Sequence, residues 1–217
     1  MIGQRKRMWK SMVRIVCIVV FLLGIIFWFA TFASVDELLH PTRNGAPNIF
    51  QHDTDYLSSV DEIAVAGNRL YLLYNTLNNV KVYNLDGAYL YTISFPHKEY
   101  HGISLIYASE GEMWFFAKGM DSEFYYFSDD QFVGKIEIED ANDTLKELID
   151  EGYRTSIDEE GNTYQISMGN IEREAPNGEK QIVIHQTFLM SLFQYRFIIW
   201  GASFLAFIVL FVMGKYF

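Results

Sequence analysis

The sequence predicts an all-β domain of about three four-stranded units, flanked by two transmembrane α-helices. Three observations lead there. Two uncharged apolar runs lie near the two ends of the 217 residues. Between them, apolar and polar residues alternate with the period of two of half-buried strands. Gly-containing turn signals interrupt that alternation at similar distances.

The first apolar run, IVCIVVFLLGIIFWFATFA from Ile15 to Ala33, has 19 residues and no charge. The second, FIIWGASFLAFIVLFVMG from Phe197 to Gly214, has 18 and none. A bilayer core of about 30 Å and a rise of about 1.5 Å per residue call for about 20 apolar residues, so both runs qualify as spanning helices. Thr31-Phe32-Ala33 also offers the small residues of a signal-peptidase site. The run exceeds the roughly 7–15 residues of a signal-peptide core, however, and an uncleaved anchor is expected.

QRKRMWK, Gln4 to Lys10, marks the cytoplasmic side by the positive-inside rule and brings basic side chains to anionic lipid. The chain is therefore expected to pass the cell membrane twice, with both termini cytoplasmic and residues 34–196 extracytoplasmic. Trp200, Tyr195 and Arg196 then stand at the outer mouth of the second helix, and Lys215 and Tyr216 at its inner mouth. Ala202 and Ala206, with Gly201 and Ser203 beside them, would allow a close helix contact. The expected divisions are a basic tail (1–14), a transmembrane helix (15–33), a linker with two prolines (34–58), the β domain (59–190), a second helix (197–214) and a short cytoplasmic end (215–217).

Charge narrows the partners. Between Ser34 and Tyr195 stand all 27 acids and only ten Lys or Arg, leaving about 17 negative charges on that part. Such a surface repels phosphate backbones, so nucleic acid is not an expected partner. Cys17 is the single cysteine, so no intrachain disulfide can form.

The β region repeats. Val60 to Pro96, Ile103 to Glu139 and Tyr153 to Thr187 have the same order of parts. A short strand ends in a Gly turn (Gly67, Gly111, Gly161), and a second strand follows (Leu70 to Tyr74, Met113 to Ala117, Thr163 to Ser167). A third ends in a tight turn (Asp86-Gly87, Asp129-Asp130, Asn177-Gly178), and a fourth closes the unit. Asp-Gly and Asn-Gly suit the positive φ angles of two-residue hairpin turns. Four strands over about 40–50 residues are the period of β-propeller blades. Asp140 to Gly152, DANDTLKELIDEG, reads as a short inserted helix, with Asn142 or Asp143 as cap and Leu145, Leu148 and Ile149 on one face.

DEIAVAGNRLYLLYNTLNNVKVYNLDGAYLYTI is similar to the blade of NHL-type and related six-bladed propellers. Ile63, Ala64 and Val65, then Leu70 and Tyr71, then Asn79, Val80, Val82, Tyr83 and Gly87 fall in the places of that blade pattern. SIDEEGNTYQI matches the opening of such a blade, whereas the second unit matches only in outline. The Asp usual after the second strand is Asn75 here, and the basic residue expected after Asn79 is displaced to Lys81. The resemblance covers about 130 residues and implies a propeller-like domain; the alternative is an irregular antiparallel sandwich or meander. Three units do not close a ring. A homodimer or a membrane partner docking on open sheet faces is one expectation, and a monomer whose sheets are covered by residues 34–58 and the inserted helix is another.

Chemistry-bearing patterns are sparse. His97 and His101, with Glu99 between, have the spacing of a zinc pair on a helix, but Pro96 and Gly102 flank them and HExxH is absent, so a solvated loop is expected. Asp140, Asn142, Thr144 and Glu151 fall at the first, third, fifth and twelfth places of a calcium loop, but Leu145 stands where that loop needs Gly. Asp158, Glu159 and Glu160 precede Gly161 in an acidic turn. No G-x-S-x-G or phosphate-binding loop occurs. No catalytic, cofactor-binding or metal residue is assigned, and no cofactor is expected. The expected function is an extracytoplasmic binding or scaffold protein, accessory or receptor-like. The alternatives are a membrane-anchored propeller hydrolase and an assembly factor of a membrane complex.

Overall fold

The computed structural model describes residues 2–30, 45–56, 58–96, 100–109, 111–119, 121–151, 156–185, 187–188 and 195–216. The first helix, α1 (Ile2–Ala30), begins well before the apolar run. Gln4 to Met12 are good helix formers with no proline among them, so the basic tail continues the helix rather than preceding it. Its expected end at Ala33 lies outside the described residues. Among these residues, α1 is the one helix long and apolar enough to cross a membrane, with a mean hydropathy of 2.5 over Ser11–Trp28. The last helix, α3 (Arg196–Tyr216), has a shorter apolar part, Arg196–Val212.

The two helices lie antiparallel against each other. Phe21 meets Phe207 with ring centroids 5.4 Å apart, and the Ser203 hydroxyl donates to the Val20 carbonyl at 3.1 Å. Gly24 makes this approach possible, because a Cβ there would overlap the Ser203 side chain. Ser203 and Ala206 are buried in the contact, whereas Gly201 and Ala202 are exposed. The expected small-residue contact thus forms one residue round the helix, on Ser203 and Ala206 rather than Ala202 and Ala206.

Three antiparallel sheets lie between the helices. Sheet A holds β1 (Asn48–Phe50), β2 (Glu62–Ala66), β3 (Arg69–Tyr74), β4 (Asn79–Asn84) and β5 (Tyr89–Ser94), in the order β1-β5-β4-β3-β2. Sheet B holds β6 (Tyr100–Ser109), β7 (Glu112–Gly119), β8 (Glu123–Ser128) and β9 (Gln131–Glu137), in chain order. Sheet C holds β10 (Thr163–Ser167), β11 (Asn170–Glu174) and β12 (Lys180–Ile184).

The sheets correspond to the three repeats with two corrections. Asn48–Phe50, expected within the linker, pairs with β5 through Ile49 opposite Ile93. Three residues are too short a run to show a period of two. Among the described residues the third unit has three strands. Tyr153 to Thr155 of its expected first strand lie outside the described residues; Ile157 forms a single bridge with Thr163, and Asp158 then folds the chain into a turn by accepting from the Asn162 backbone at 2.8 Å.

The sheets are open, and sheet A is the middle layer. One of its faces (Tyr71, Leu73, Val80, Val82, Ile93) packs with Phe95 against Leu105, Phe115, Tyr125 and Phe127 of sheet B. Its other face (Leu70, Leu72, Tyr74, Tyr83) packs against Tyr164 and Ile171 of sheet C, with Tyr56 and Val60 closing the margin. Burial on both sides explains why RLYLLY in β3 is almost continuously apolar. The far side of sheet B is covered by α2 (Asp143–Glu151), through Leu145, Leu148 and Ile149 on Phe116 and Phe124. The Asn142 carboxamide oxygen caps α2 by accepting from the Leu145 backbone at 2.9 Å. The far side of sheet C is polar, with Gln165 bonded to Glu172 and Lys180 to Glu174.

Candidate functional site

One polar feature ties two layers together, two more brace a single sheet, and clefts open between the sheets. At one end of sheets A and B, the β8–β9 turn puts Asp129 and Asp130 at positive φ. This aims the Asp130 carboxylate at Arg69 of β3, whose Nη2 donates to it at 2.8 Å while Nη1 bonds its other oxygen. Tyr91 of β5 donates to the same carboxylate at 2.6 Å and accepts from Arg69 at 2.9 Å. Burial pushes the Asp130 carboxyl up, but the bonds from Arg69 and Tyr91 outweigh it and hold the group below its ordinary value. The three residues form a clip between two sheets.

Beside the clip lies an open cleft of about 900 Å³, lined by Asn68, Arg69 and Asn84 of sheet A, Ser109 and Met113 of sheet B, and Glu159 from the turn before sheet C. A second cleft of about 670 Å³ opens where β2, β6 and β10 converge, lined by Asn75, Ser104, Lys118 and Gln165. A third, of about 420 Å³, lies between sheets A and C over Lys81.

Lys81 is the most buried cation of the domain among the described residues. Its ammonium donates to Asp53 and to the Thr54 carbonyl, both at 2.6 Å, and stands 4.4 Å from the centroid of the Tyr56 ring. It thereby straps residues 53–56 onto sheet A. In sheet B, buried Glu123 accepts from Tyr125 and Lys135, each at 2.6 Å. These charges are spent on each other, and none is paired with a nucleophile.

Of the residues weighed in the sequence, His97 and Glu99 lie outside the described residues, and His101 falls in β6 rather than on a helix. Asn142 uses its oxygen as a helix cap, and Asp140 precedes it in a turn. Asp158 binds its own turn and the Tyr164 hydroxyl, at 3.1 Å. Among the described residues, no three His, Cys, Asp or Glu side chains group so as to hold a metal. Sequence reasoning did not find the Arg69–Asp130–Tyr91 clip, because its members lie 22 to 61 residues apart. The signals available for Lys81 were its place between Val80 and Val82 and its standing as the displaced basic residue of the blade pattern.

No family model and no curated protein matches the chain. Among solved structures, it is similar to a crystal structure of a protein of unknown function from Bacteroides caccae, at 16% identity and a TM-score of 0.27. That match covers 59% of this chain and 46% of the other, so the chain spans less than half the length of that protein.

Proposed function

We propose that the chain is a two-pass membrane protein that carries its β domain on the extracytoplasmic side, and that this domain binds a ligand or partner without transforming it. The observation that carries this reading is the pairing of α1 with α3. The helices meet through Gly24 and Ser203, while Ile15, Leu23, Ile26, Phe204, Leu205 and Phe211 point away from the protein, each more than half exposed. In water such a pair would leave a large apolar surface bare; in lipid it needs no further cover. The basic residues ahead of Ile15 and the acidic domain behind it support the orientation.

The binding reading rests on clefts lined by amide, hydroxyl and charged groups. The likeness of the first unit to NHL-type blades is in keeping with a binding scaffold, although fold alone assigns no activity. With sheet A sandwiched and the Phe116–Phe124 row of sheet B covered by α2, a second copy or a membrane partner would engage strand edges or lipid-facing helices. Alkaline carbonate extraction of membranes from expressing cells tests the anchor. The full-length chain should stay in the pellet and leave it only with detergent. Release into the carbonate supernatant would overturn the reading.

A further inference from the structure

We infer that sheet B carries a shelf for a neutral, pyranose-based glycan, made by Tyr107, Trp114 and Tyr126 beside Gly134. The register sets these four residues in one row across the sheet: Tyr107 opposite Trp114, Trp114 opposite Tyr126, Tyr126 opposite Gly134. Directly opposed residues of antiparallel strands point to the same face. At about 4.8 Å per strand, the row from Tyr107 to Tyr126 runs about 10 Å across the sheet. Trp114 and Tyr126 stack at 4.7 Å between centroids with their planes 25° apart, so the pair stands as a unit.

The next row down the same face holds Phe116 and Phe124, which α2 helps to bury and against which Trp114 also packs. The helix leaves the upper row half-buried, with part of each aromatic side chain open to solvent. Gly134 then gives the row its opening. Among the described residues, a Cβ at Gly134 would meet nothing within 4 Å, so there is room beside Tyr126 on the β9 side. Gly134 is not in the positive-φ region, so turn geometry does not demand a glycine at this position.

The row above the aromatic one is polar: Glu112 opposite Ser128, and Ser128 opposite Gln131. The Tyr126 hydroxyl donates to Glu112 at 2.9 Å, which fixes the ring and orients the carboxylate. An apolar ring face bordered by short polar side chains fits a hexopyranose, which has a C–H face and a hydroxyl edge. The electron-rich ring attracts the polarised C–H groups, and Glu112, Ser128 and Gln131 supply acceptors and donors for the hydroxyls. The negative charge of the domain disfavours uronate and phosphate polymers, which selects neutral sugars. This inference rests on the binding reading and gives it a ligand class, but its test does not depend on membrane topology.

The test measures retention of detergent-solubilised full-length protein on insoluble cellulose, chitin and mannan, with affinities from cellohexaose, chitohexaose and mannohexaose titrations. Binding to at least one is expected. Gly134→Leu should lower that affinity at least tenfold by filling the space beside Tyr126, with the thermal midpoint kept, since a Cβ at this position meets no described atom within 4 Å. Glu112→Gln should lower it several-fold without unfolding. Failure of the wild type to bind any of the three, or equal binding by wild type and Gly134→Leu, would overturn the inference. Loss of a co-purifying protein from Gly134→Leu, with no glycan bound by the wild type, would assign the shelf to a protein and also overturn it.

Discussion

Phe95→Ala should destabilise sheets A and B together. Phe95 follows β5, belongs to sheet A by chain and is 1% exposed. Its ring meets Phe115, Tyr125 and Phe127 of sheet B edge-on, at 5.3, 5.2 and 6.1 Å. Truncating a buried Phe to Ala costs about 3–5 kcal/mol, and each lost aromatic pair about 0.5–1.5 kcal/mol within that total rather than on top of it. We take about 4 kcal/mol, a large share of the roughly 5–15 kcal/mol that holds a domain folded. With a urea dependence of about 2 kcal/mol per molar, the midpoint should fall by about 2 M. Trp114 in β7 reports on sheet B once Trp9, Trp28 and Trp200 are replaced by Phe. The Trp114 transition should move with the far-ultraviolet signal. If it stays within about 0.5 M of the parent's, by the same conversion, sheet B does not share a core with sheet A and the stacking described here is wrong.

Three further outcomes follow from single features. Lys81→Met should loosen residues 51–56, seen as faster hydrogen exchange there, and cost about 2 kcal/mol; the Lys81 side chain is 4% exposed while Asp53 is 43% exposed and stays hydrated without its partner. Gly24→Ala should part α1 from α3, and Ser203→Gly in the same chain should restore the pairing. The readout is oxidative cross-linking of Cys17 to Leu210→Cys, one turn beyond the Phe21–Phe207 contact, which falls in the single variant and returns in the double one. Stability should fall in acid. Asp130 is held below its unfolded value, so its contribution is complete above about pH 4 and lost as pH drops through the folded value, and Asp130→Asn should flatten that slope. Tyr164 gives the opposite limb: burial pushes it up to about 12, so its contribution is complete below about pH 10 and lost as pH rises towards that value.

The strands were legible because alternation states which side chains go inward. Gly67, Gly87, Gly111, Gly161 and Gly178 all take positive φ at the turns where the sequence places them. Alternation does not state which sheet covers which face. The run RLYLLY hinted that β3 is buried twice, but the partner on its second side, sheet C, comes from the far end of the domain. The Tyr107–Trp114–Tyr126–Gly134 row was hidden for a related reason. Bulges between Leu105 and Tyr107 and between Tyr126 and Phe127 shift the register, so counting along the strands does not align these residues. The helix contact was half legible: Ala206 and Ser203 were in view, but Gly24 gains meaning only once α1 and α3 are placed side by side.

The central claim is a membrane-paired α1 and α3 with the β domain outside. Single cysteines at Gln4, Asn68 and Lys215, each in a Cys17→Ala background, test it by labelling intact cells with a membrane-impermeant maleimide. The account predicts labelling of Asn68→Cys in intact cells, and of Gln4→Cys and Lys215→Cys only after permeabilisation. Labelling of either terminal cysteine in intact cells, or protection of Asn68→Cys, would contradict it.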